Sequence, residues 1–139
     1  MPLINWEPRF SVGSLVLDEQ HKTLIALINQ LHAAMLKGAP AGEMRQVFSE
    51  LVAYTESHFK AEEGLMQRGG YPRLEAHCAE HREFVRTIRE SYARLLAGKL
   101  TVSMDLLRFL KSWLSGHILG TDQQYVPYLQ SAKVPAARA

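Results

Sequence analysis

Apolar residues recur at every third or fourth position over four long stretches of this chain, and this is the spacing of one face of an α-helix. Segments that contain glycine and proline separate the stretches. The pattern predicts four helices, at about residues 18–37, 43–68 and 72–97 and from Thr101 or Ser103 onward. No strand-like alternation of useful length occurs in the sequence. Because the loops are short, we expect an all-α, up-down-up-down antiparallel four-helix bundle.

The domain organisation follows from the length and the apolar content. With 139 residues, 47% of them apolar, the chain has room for one compact domain with a core. We expect an extended N-terminal arm over residues 1–17, packed on the bundle with Trp6 as a buried anchor. The bundle itself is expected over about 18–130, followed by a flexible tail over 131–139.

Charge and cysteine content narrow the functional class. A net charge of +2 argues against a dedicated nucleic-acid-binding protein. Charged residues interrupt every apolar run before it could span a membrane, and the N-terminus lacks the apolar stretch of a signal peptide. The single cysteine, Cys78, cannot form an internal disulfide and is expected to be inert. We therefore predict a cytoplasmic protein without membrane insertion.

Metal-binding side chains recur in phase with the apolar residues that face the core. They are His21, His58, Glu62, His77, His81, His117 and Asp122. The pairs His58–Glu62 and His77–His81 are each four residues apart, which stacks both side chains on one helical face. Unpaired polar groups on core-facing positions are costly, so the pattern predicts a metal site.

Folding the predicted helices back on one another places these side chains at one level. In an antiparallel pair, residues equally distant from the centre of the loop lie side by side. This rule sets Glu62 opposite His77 and His58 opposite His81, and it brings all seven side chains into one layer. His32 falls about three turns away, so we assign it to packing or polar lining.

Two acidic residues need a separate interpretation. Asp122 follows His117 by five residues rather than four, and Gly120 between them favours a wider turn of the π-helical kind. Glu63 is rotated away from the face that carries Glu62, so we expect it to face solvent or to cap a neighbour.

The donor set indicates a transition metal, since imidazole nitrogens are poor ligands for magnesium or calcium. A single zinc ion needs only four ligands. Two six-coordinate ions would take five histidines, two bridging carboxylates and one bridging solvent oxygen, and would keep one position vacant. Carboxylate-rich di-iron enzymes use paired Glu-x-x-His motifs. The sequence has no such motif, which argues against oxygenase or ferroxidase chemistry.

The motifs of this chain resemble those of the hemerythrin family, in particular its single-domain bacterial members. They are Trp6-Glu-Pro8 with Ser11-Val-Gly13, Asp18-Glu-Gln-His21, His58-Phe59-x-x-Glu62-Glu63, Tyr71-Pro72 before His77-x-x-x-His81-x-x-Phe84, and Trp113-Leu114-x-x-His117-Ile118-x-x-x-Asp122. This family consists of non-haem di-iron oxygen binders.

The resemblance implies two iron ions joined by an oxo or hydroxo group. His77, His81 and His117 would hold one iron, His21 and His58 the other, and Glu62 and Asp122 would bridge them. Dioxygen would bind at the iron that carries two histidines. The side chains that would line its pocket are Phe59, Trp113, Leu114 and Ile118.

The function implied by the resemblance is reversible dioxygen binding for storage, delivery or scavenging. The protein would not be an enzyme, and we assign no catalytic residues. The alternatives are a sensor of oxygen, nitric oxide or redox state that acts through a separate partner, an enzyme that reduces peroxide or nitric oxide, and a protein that carries iron as cargo. No output domain within 139 residues argues against the sensor, and no positioned acid, base or substrate pocket is evident for the enzyme. The sequence identifies no protein partner.

Overall fold

The computed structural model describes residues 2–99 and 101–129, and within these ranges the chain is a bundle of four antiparallel helices. The helices are α1 (Leu15–Leu36), α2 (Ala41–Arg68), α3 (Leu74–Leu96) and α4 (Met104–Gly116). The predicted all-α bundle is confirmed, and the described ranges contain no strand. In the same ranges, no helix combines the length and the apolar character that crossing a membrane requires. The expected tail over 131–139 lies outside the described residues.

Helix α4 does not end abruptly at Gly116. The chain continues through a π-helical turn (His117–Thr121) and a 3-10 turn (Asp122–Tyr125), and residues 126–129 are again α-helical. The predicted wide turn between His117 and Asp122 is therefore present.

Helix α1 begins three residues before the predicted Asp18, because Ser14 is the residue that caps it. The Ser14 hydroxyl accepts a hydrogen bond from the Leu17 N–H at 3.3 Å. Asp18 instead fixes the arm: its carboxylate accepts from the Ser11 hydroxyl at 2.5 Å and from the Val12 N–H at 2.9 Å. A carboxylate in the first turn also suits the positive end of the helix dipole.

Helix α3 begins at Leu74, two residues after the Pro72 expected in its first turn. The preceding connection uses Gly70 at φ 69°, a left-handed conformation that suits glycine after a helix. The Tyr71 N–H then donates to the Met66 carbonyl at 3.0 Å, which closes the end of α2.

The N-terminal arm packs on the bundle as predicted, but Trp6 is not its buried anchor. The Ile4 N–H donates to the Asn29 side-chain oxygen at 2.9 Å, and the Asn29 amide donates back to the Ile4 carbonyl at 2.8 Å. Phe10 and Val12 are the buried apolar residues further along. Trp6 is half-buried, and the Lys22 ammonium lies 5.1 Å from its ring centre, within the range of a cation–π contact.

The apolar core consists of two clusters. The larger cluster includes Leu24, Phe59 and Ile118, and the smaller one consists of Val12, Leu17, Met66, Tyr71, Tyr125 and Leu129. Along α1, along α2 and along the turns after α4, residues of the two clusters lie about two helical turns apart. The polar residues that lie between the clusters are those that the sequence analysis singled out.

The end of α2 packs closely against the last described segment. A Cβ atom added at Gly69 would lie 2.2 Å from the Tyr128 carbonyl oxygen, whereas one added at Gly64 would meet only the Arg68 guanidinium at an ordinary 3.6 Å. Backbone cannot yield as a side chain can, so the close approach requires glycine.

We predict opposite effects of alanine at these two positions. Gly69→Ala should lower the free energy of unfolding by on the order of 1–3 kcal/mol, because the added methyl forces the backbones apart. Gly64→Ala should raise it by roughly 0.5–1 kcal/mol, because alanine loses less backbone entropy in a helix. Urea titrations followed by circular dichroism measure both, and equal effects of the two substitutions would contradict the close approach.

Candidate metal centre

Seven polar side chains from α1, α2, α3 and the turns after α4 converge between the two apolar clusters. They form what we call the seven-residue cluster: His21, His58, Glu62, His77, His81, His117 and Asp122. Each of these residues is at most 6% exposed. All the predicted candidates for metal binding therefore lie together and away from solvent.

Three histidines surround a pair of oxygens, one from each carboxylate, and we call them the three-histidine group. Glu62 Oε1 lies 2.9 Å from His81 Nε2 and 3.3 Å from His77 Nε2. Asp122 Oδ1 lies 3.0 Å from both His77 Nε2 and His117 Nε2. These five residues can hold one metal ion.

The other oxygen of each carboxylate faces the two-histidine group, His21 and His58. Glu62 Oε2 lies 3.4 Å from the Nε2 atom of each of these histidines. Asp122 Oδ2 lies 3.3 Å from His21 Nε2. His21, His58 and Glu62 can hold a second ion, so Glu62 can serve both positions. Asp122 reaches the second position beside His21.

The donor atoms have the spacing of ligands around ions. A ligand nitrogen lies about 2.1 Å from an ion such as zinc, so two ligands at right angles are about 3 Å apart. The observed separations of 2.9–3.4 Å match that value. Moreover, several inward-facing atoms are buried without a hydrogen-bond partner among the described residues: His21 Nε2, His77 Nε2, Glu62 Oε1 and both carboxylate oxygens of Asp122. Orphaned donors of this kind fit a bound cation.

The π-helical turn explains how Asp122 reaches the cluster. In a regular α-helix a residue five positions after His117 points about 140° away from it. The wider turn over His117–Thr121 takes up one extra residue and returns Asp122 to the inner face.

Three of the histidines make a hydrogen bond through the ring nitrogen that faces away from the cluster. His58 Nδ1 donates to the Gln20 side-chain oxygen at 2.7 Å, and His81 Nδ1 donates to Glu63 Oε2 at 2.7 Å. His117 Nδ1 lies 3.2 Å from Glu80 Oε1. Such bonds fix the ring and its tautomer, with Nε2 free to bind a metal.

Sequence reasoning missed these partners. Glu63 was expected to face solvent or to cap a neighbour, but it bonds to a histidine of the cluster and its side chain is 32% exposed. Gln20, Glu63 and Glu80 each sit one position from a member of the cluster. Their positions next to core-facing residues in the sequence were the available indication. Many solvent-exposed polar residues occupy the same kind of position, so the indication is weak.

A buried tyrosine also contacts the cluster. The Tyr125 hydroxyl donates to Glu62 Oε2 at 2.8 Å. Burial, together with the charges of Glu62 and Asp122, raises the pKa of Tyr125, so its phenol stays protonated and can only donate to the carboxylate. This bond orients the oxygen that faces the two-histidine group.

Aromatic rings cover the outer faces of two histidines. Phe59 stacks on His81 with ring centres 3.7 Å apart, and Trp113 stacks on His117 at 4.4 Å. Leu114 and Ile118 are buried in the larger apolar cluster. These are the four residues for which the resemblance implies a pocket-lining role.

His32 and Cys78 lie outside the cluster. His32 is half-buried near the surface of α1, and Cys78 is half-buried on α3. Burial, and then the negative charge of Glu63, raise the pKa of the Cys78 thiol, which keeps it in the unreactive protonated form.

The members of the cluster shift one another's pKa values. Burial alone would lower the pKa of His21 and His77, but hydrogen bonds and charges from Asp122 and Glu62 outweigh it and raise both to about 9. Burial opposes ionisation of the carboxylates, and hydrogen bonds from the histidines still hold the pKa of Glu62 well below its usual value. The pKa of Asp122 is lowered in the same way. Protons therefore occupy the cluster when no metal does.

Comparison with known proteins agrees with this geometry. The family model of the Hemerythrin HHE cation binding domain matches residues 12–129. The bacteriohemerythrin of Stenotrophomonas maltophilia (strain R551-3) is 38% identical over 133 residues, 94% of this chain and 84% of the relative. That of Methylococcus capsulatus is 34% identical over 132 residues, 94% of this chain and 100% of the relative.

A solved structure extends the comparison to the fold. A crystal structure of wild-type hemerythrin matches with a TM-score of 0.87 at 34% identity, covering 91% of this chain and 98% of the other. The fold and the cluster define a helical bundle able to hold cations. The chain belongs to the hemerythrin family.

We predict that removing the metal makes stability depend on pH. With folded pKa values of about 9 against an ordinary 6.5, protonated His21 and His77 stabilise the metal-free fold fully below pH 6.5. That contribution is lost as the pH rises through 9. Metal binding requires neutral imidazoles, so the metal-loaded protein has no such loss.

As the pH rises from 6.5 to 9, the melting temperature of the metal-free protein should fall. The difference in melting temperature between the metal-loaded and metal-free proteins should widen over the same range. Thermal denaturation of both forms measures this, and a constant difference would contradict the prediction. His32→Ala is the control: it should retain the metal and the same pH dependence, because His32 lies outside the cluster.

Proposed function

We propose that this protein binds dioxygen reversibly at a non-haem di-iron centre held by the seven-residue cluster. The observation that carries the proposal is the division of the two carboxylates, each of which turns one oxygen toward the three-histidine group and the other toward the two-histidine group. A single ion could not be bound by both oxygens of each carboxylate and by both histidine groups at once. Two ions bridged by Glu62 and Asp122 account for every donor.

The donor set supports iron. Five imidazoles with two carboxylates suit a first-row transition metal, and the hemerythrin relatives point to iron among these. An oxo or hydroxo group would complete the bridge. When bound, the two irons would supply the electrons that dioxygen takes up on binding and returns on release.

The unequal histidine groups support a single binding position. The three-histidine group and the carboxylate oxygens that face it offer five protein donors to one ion, whereas the two-histidine group and its oxygens offer at most four. With a bridging group added, six-coordinate ions would keep one position open on the side of His21 and His58. A small diatomic ligand such as dioxygen would bind on that side.

The surroundings support reversible binding over further chemistry. We assign Phe59, Trp113, Leu114 and Ile118 to the pocket wall, where they would keep water and protons from the bound ligand. All four belong to the larger apolar cluster or pack against it. We also infer that the protein works in the cytoplasm, where its single cysteine would stay reduced.

The test is repeated oxygenation of the iron-loaded protein. We expect two irons per chain and a visible absorption band that appears with dioxygen and disappears on its removal over several cycles. One iron per chain would refute the di-iron site. Steady consumption of dioxygen or peroxide, with a reductant present, would indicate an enzyme in place of a carrier.

Residues of the pocket wall should control how long the oxygenated form lasts. Leu114→Ala and Ile118→Ala each open a void that water can enter, so we predict several-fold faster loss of the oxygenated form with two irons retained. Leu107→Ala is the matched control, since Leu107 is fully buried on α4 in the same cluster but two turns from Leu114. All three substitutions should cost about 2–5 kcal/mol of stability.

Autoxidation is followed by the decay of the visible band in air. If the Leu107 variant decays as fast as the other two, general destabilisation explains the effect, and the assignment of Leu114 and Ile118 to the pocket wall is wrong.

A further inference from the structure

The hydrogen-bond partners behind the histidines carry different charges on the two sides of the cluster. On the side of the three-histidine group the partners are carboxylates, Glu63 and Glu80. On the side of the two-histidine group the partner is the neutral amide of Gln20. The cluster is thus asymmetric in charge as well as in the number of histidines.

The carboxylate contacts are well defined. Glu63 Oε2 lies 2.7 Å from His81 Nδ1. Glu80 Oε1 lies 3.2 Å from His117 Nδ1 and accepts a second hydrogen bond from the Thr121 hydroxyl at 3.1 Å. Thr121 belongs to the π-helical turn, so the same turn that brings Asp122 inward also positions Glu80.

The two-histidine group has no comparable negative charge behind its rings. Gln20 accepts from His58 Nδ1 at 2.7 Å, and its amide is neutral. His21 Nδ1 is buried and has no hydrogen-bond partner among residues 2–99 and 101–129. His77 Nδ1, on the other side, is also without one in those ranges, so the two carboxylates account for the difference.

A carboxylate behind an imidazole makes the ring a stronger electron donor. The N–H shared with the carboxylate leaves more negative charge on the nitrogen that faces the metal, which raises the basicity of the ligand. The carboxylate also attracts the ion directly, more weakly for Glu80 because its side chain is more exposed to solvent than that of Glu63. Both effects stabilise a ferric ion over a ferrous ion.

On the basis of the function proposed above, we propose that Glu63 and Glu80 are positioning residues that make the iron of the three-histidine group the more easily oxidised of the two. Gln20 leaves the iron of the two-histidine group, on the side of the open position, more easily kept ferrous. Neither carboxylate would be a ligand of an ion; each acts through the histidine to which it is hydrogen-bonded and through its charge.

Redox titration of the iron-loaded protein tests the proposed effect of these residues on the reduction potentials of the two irons. Glu63→Gln keeps the shape and an acceptor for His81 but removes the charge, so we expect about a tenfold shift toward the ferrous form, which is about 59 mV for a one-electron couple. Glu80→Gln should act in the same direction but less, because Glu80 is 49% exposed against 32% for Glu63. Gln20→Glu should shift the couple of the iron in the two-histidine group toward the ferric form.

Glu83→Gln is the matched control, since Glu83 lies on the same helix as Glu80 and pairs with Arg86 at the surface. The reduction potentials of the Glu83→Gln variant should equal those of the parent protein. Iron content is measured for every variant, so that a lost ion is not mistaken for a shifted potential. If Glu63→Gln loses iron, Glu80→Gln and Gln20→Glu decide the question.

The proposal is overturned if the variants at Glu63, Glu80 and Gln20 have the potentials of the Glu83 variant while two irons remain. That result would leave these residues with a purely structural role, and the dioxygen-binding proposal would still stand. Failure of the parent protein to bind two irons or to cycle with dioxygen would overturn the proposed function itself.

Discussion

The structure depends on one constraint: five imidazoles and two carboxylates are buried in a layer that divides the apolar core. Buried charge is costly unless it is paired or bound to a metal. At this level α1, α2, α3 and the turns after α4 are therefore joined by polar contacts between donors from distant parts of the chain, from His21 to Asp122. Apolar packing on either side sets the distances between the helices, and the layer itself tolerates little change in them. Binding ions there would couple the positions of all four helices to one another.

Periodicity alone predicted the helices to within a few residues, and the rule of equal distance from a loop predicted which side chains share a level. Both succeed because the loops are short and the helices long. Details that depend on competing local contacts were not predictable. Ser14 caps α1, so that the helix begins three residues before the predicted start at residue 18, and Phe10 and Val12 are buried where Trp6 was expected. The partners of the histidines were missed for a different reason. Gln20, Glu63 and Glu80 occupy the flanks of their helices, where a sequence cannot distinguish a side chain that reaches a neighbouring helix from one that faces water.

Two kinds of contact hold the rings of His81 and His117 in place. Stacking against Phe59 and Trp113 fixes the plane of each ring, and the hydrogen bond at Nδ1 fixes its rotation within that plane. A ring restrained in both ways presents Nε2 in one direction before any ion arrives. Tyr125 restrains Glu62 similarly. The cluster is thus preorganised, and little conformational entropy remains to be lost when a ligand binds.

The order of the donors along the chain bears on how the centre is assembled during synthesis. A ribosome releases His21, His58, Glu62, His77 and His81 well before His117 and Asp122, which follow only after the π-helical turn. The first three helices can pack while the last donors are still inside the exit tunnel, and domains emerge at roughly 5–20 residues per second. An ion that arrived early would meet an incomplete set of ligands and could exchange freely. The set of seven donors is therefore complete only once the π-helical turn has brought Asp122 to the inner face.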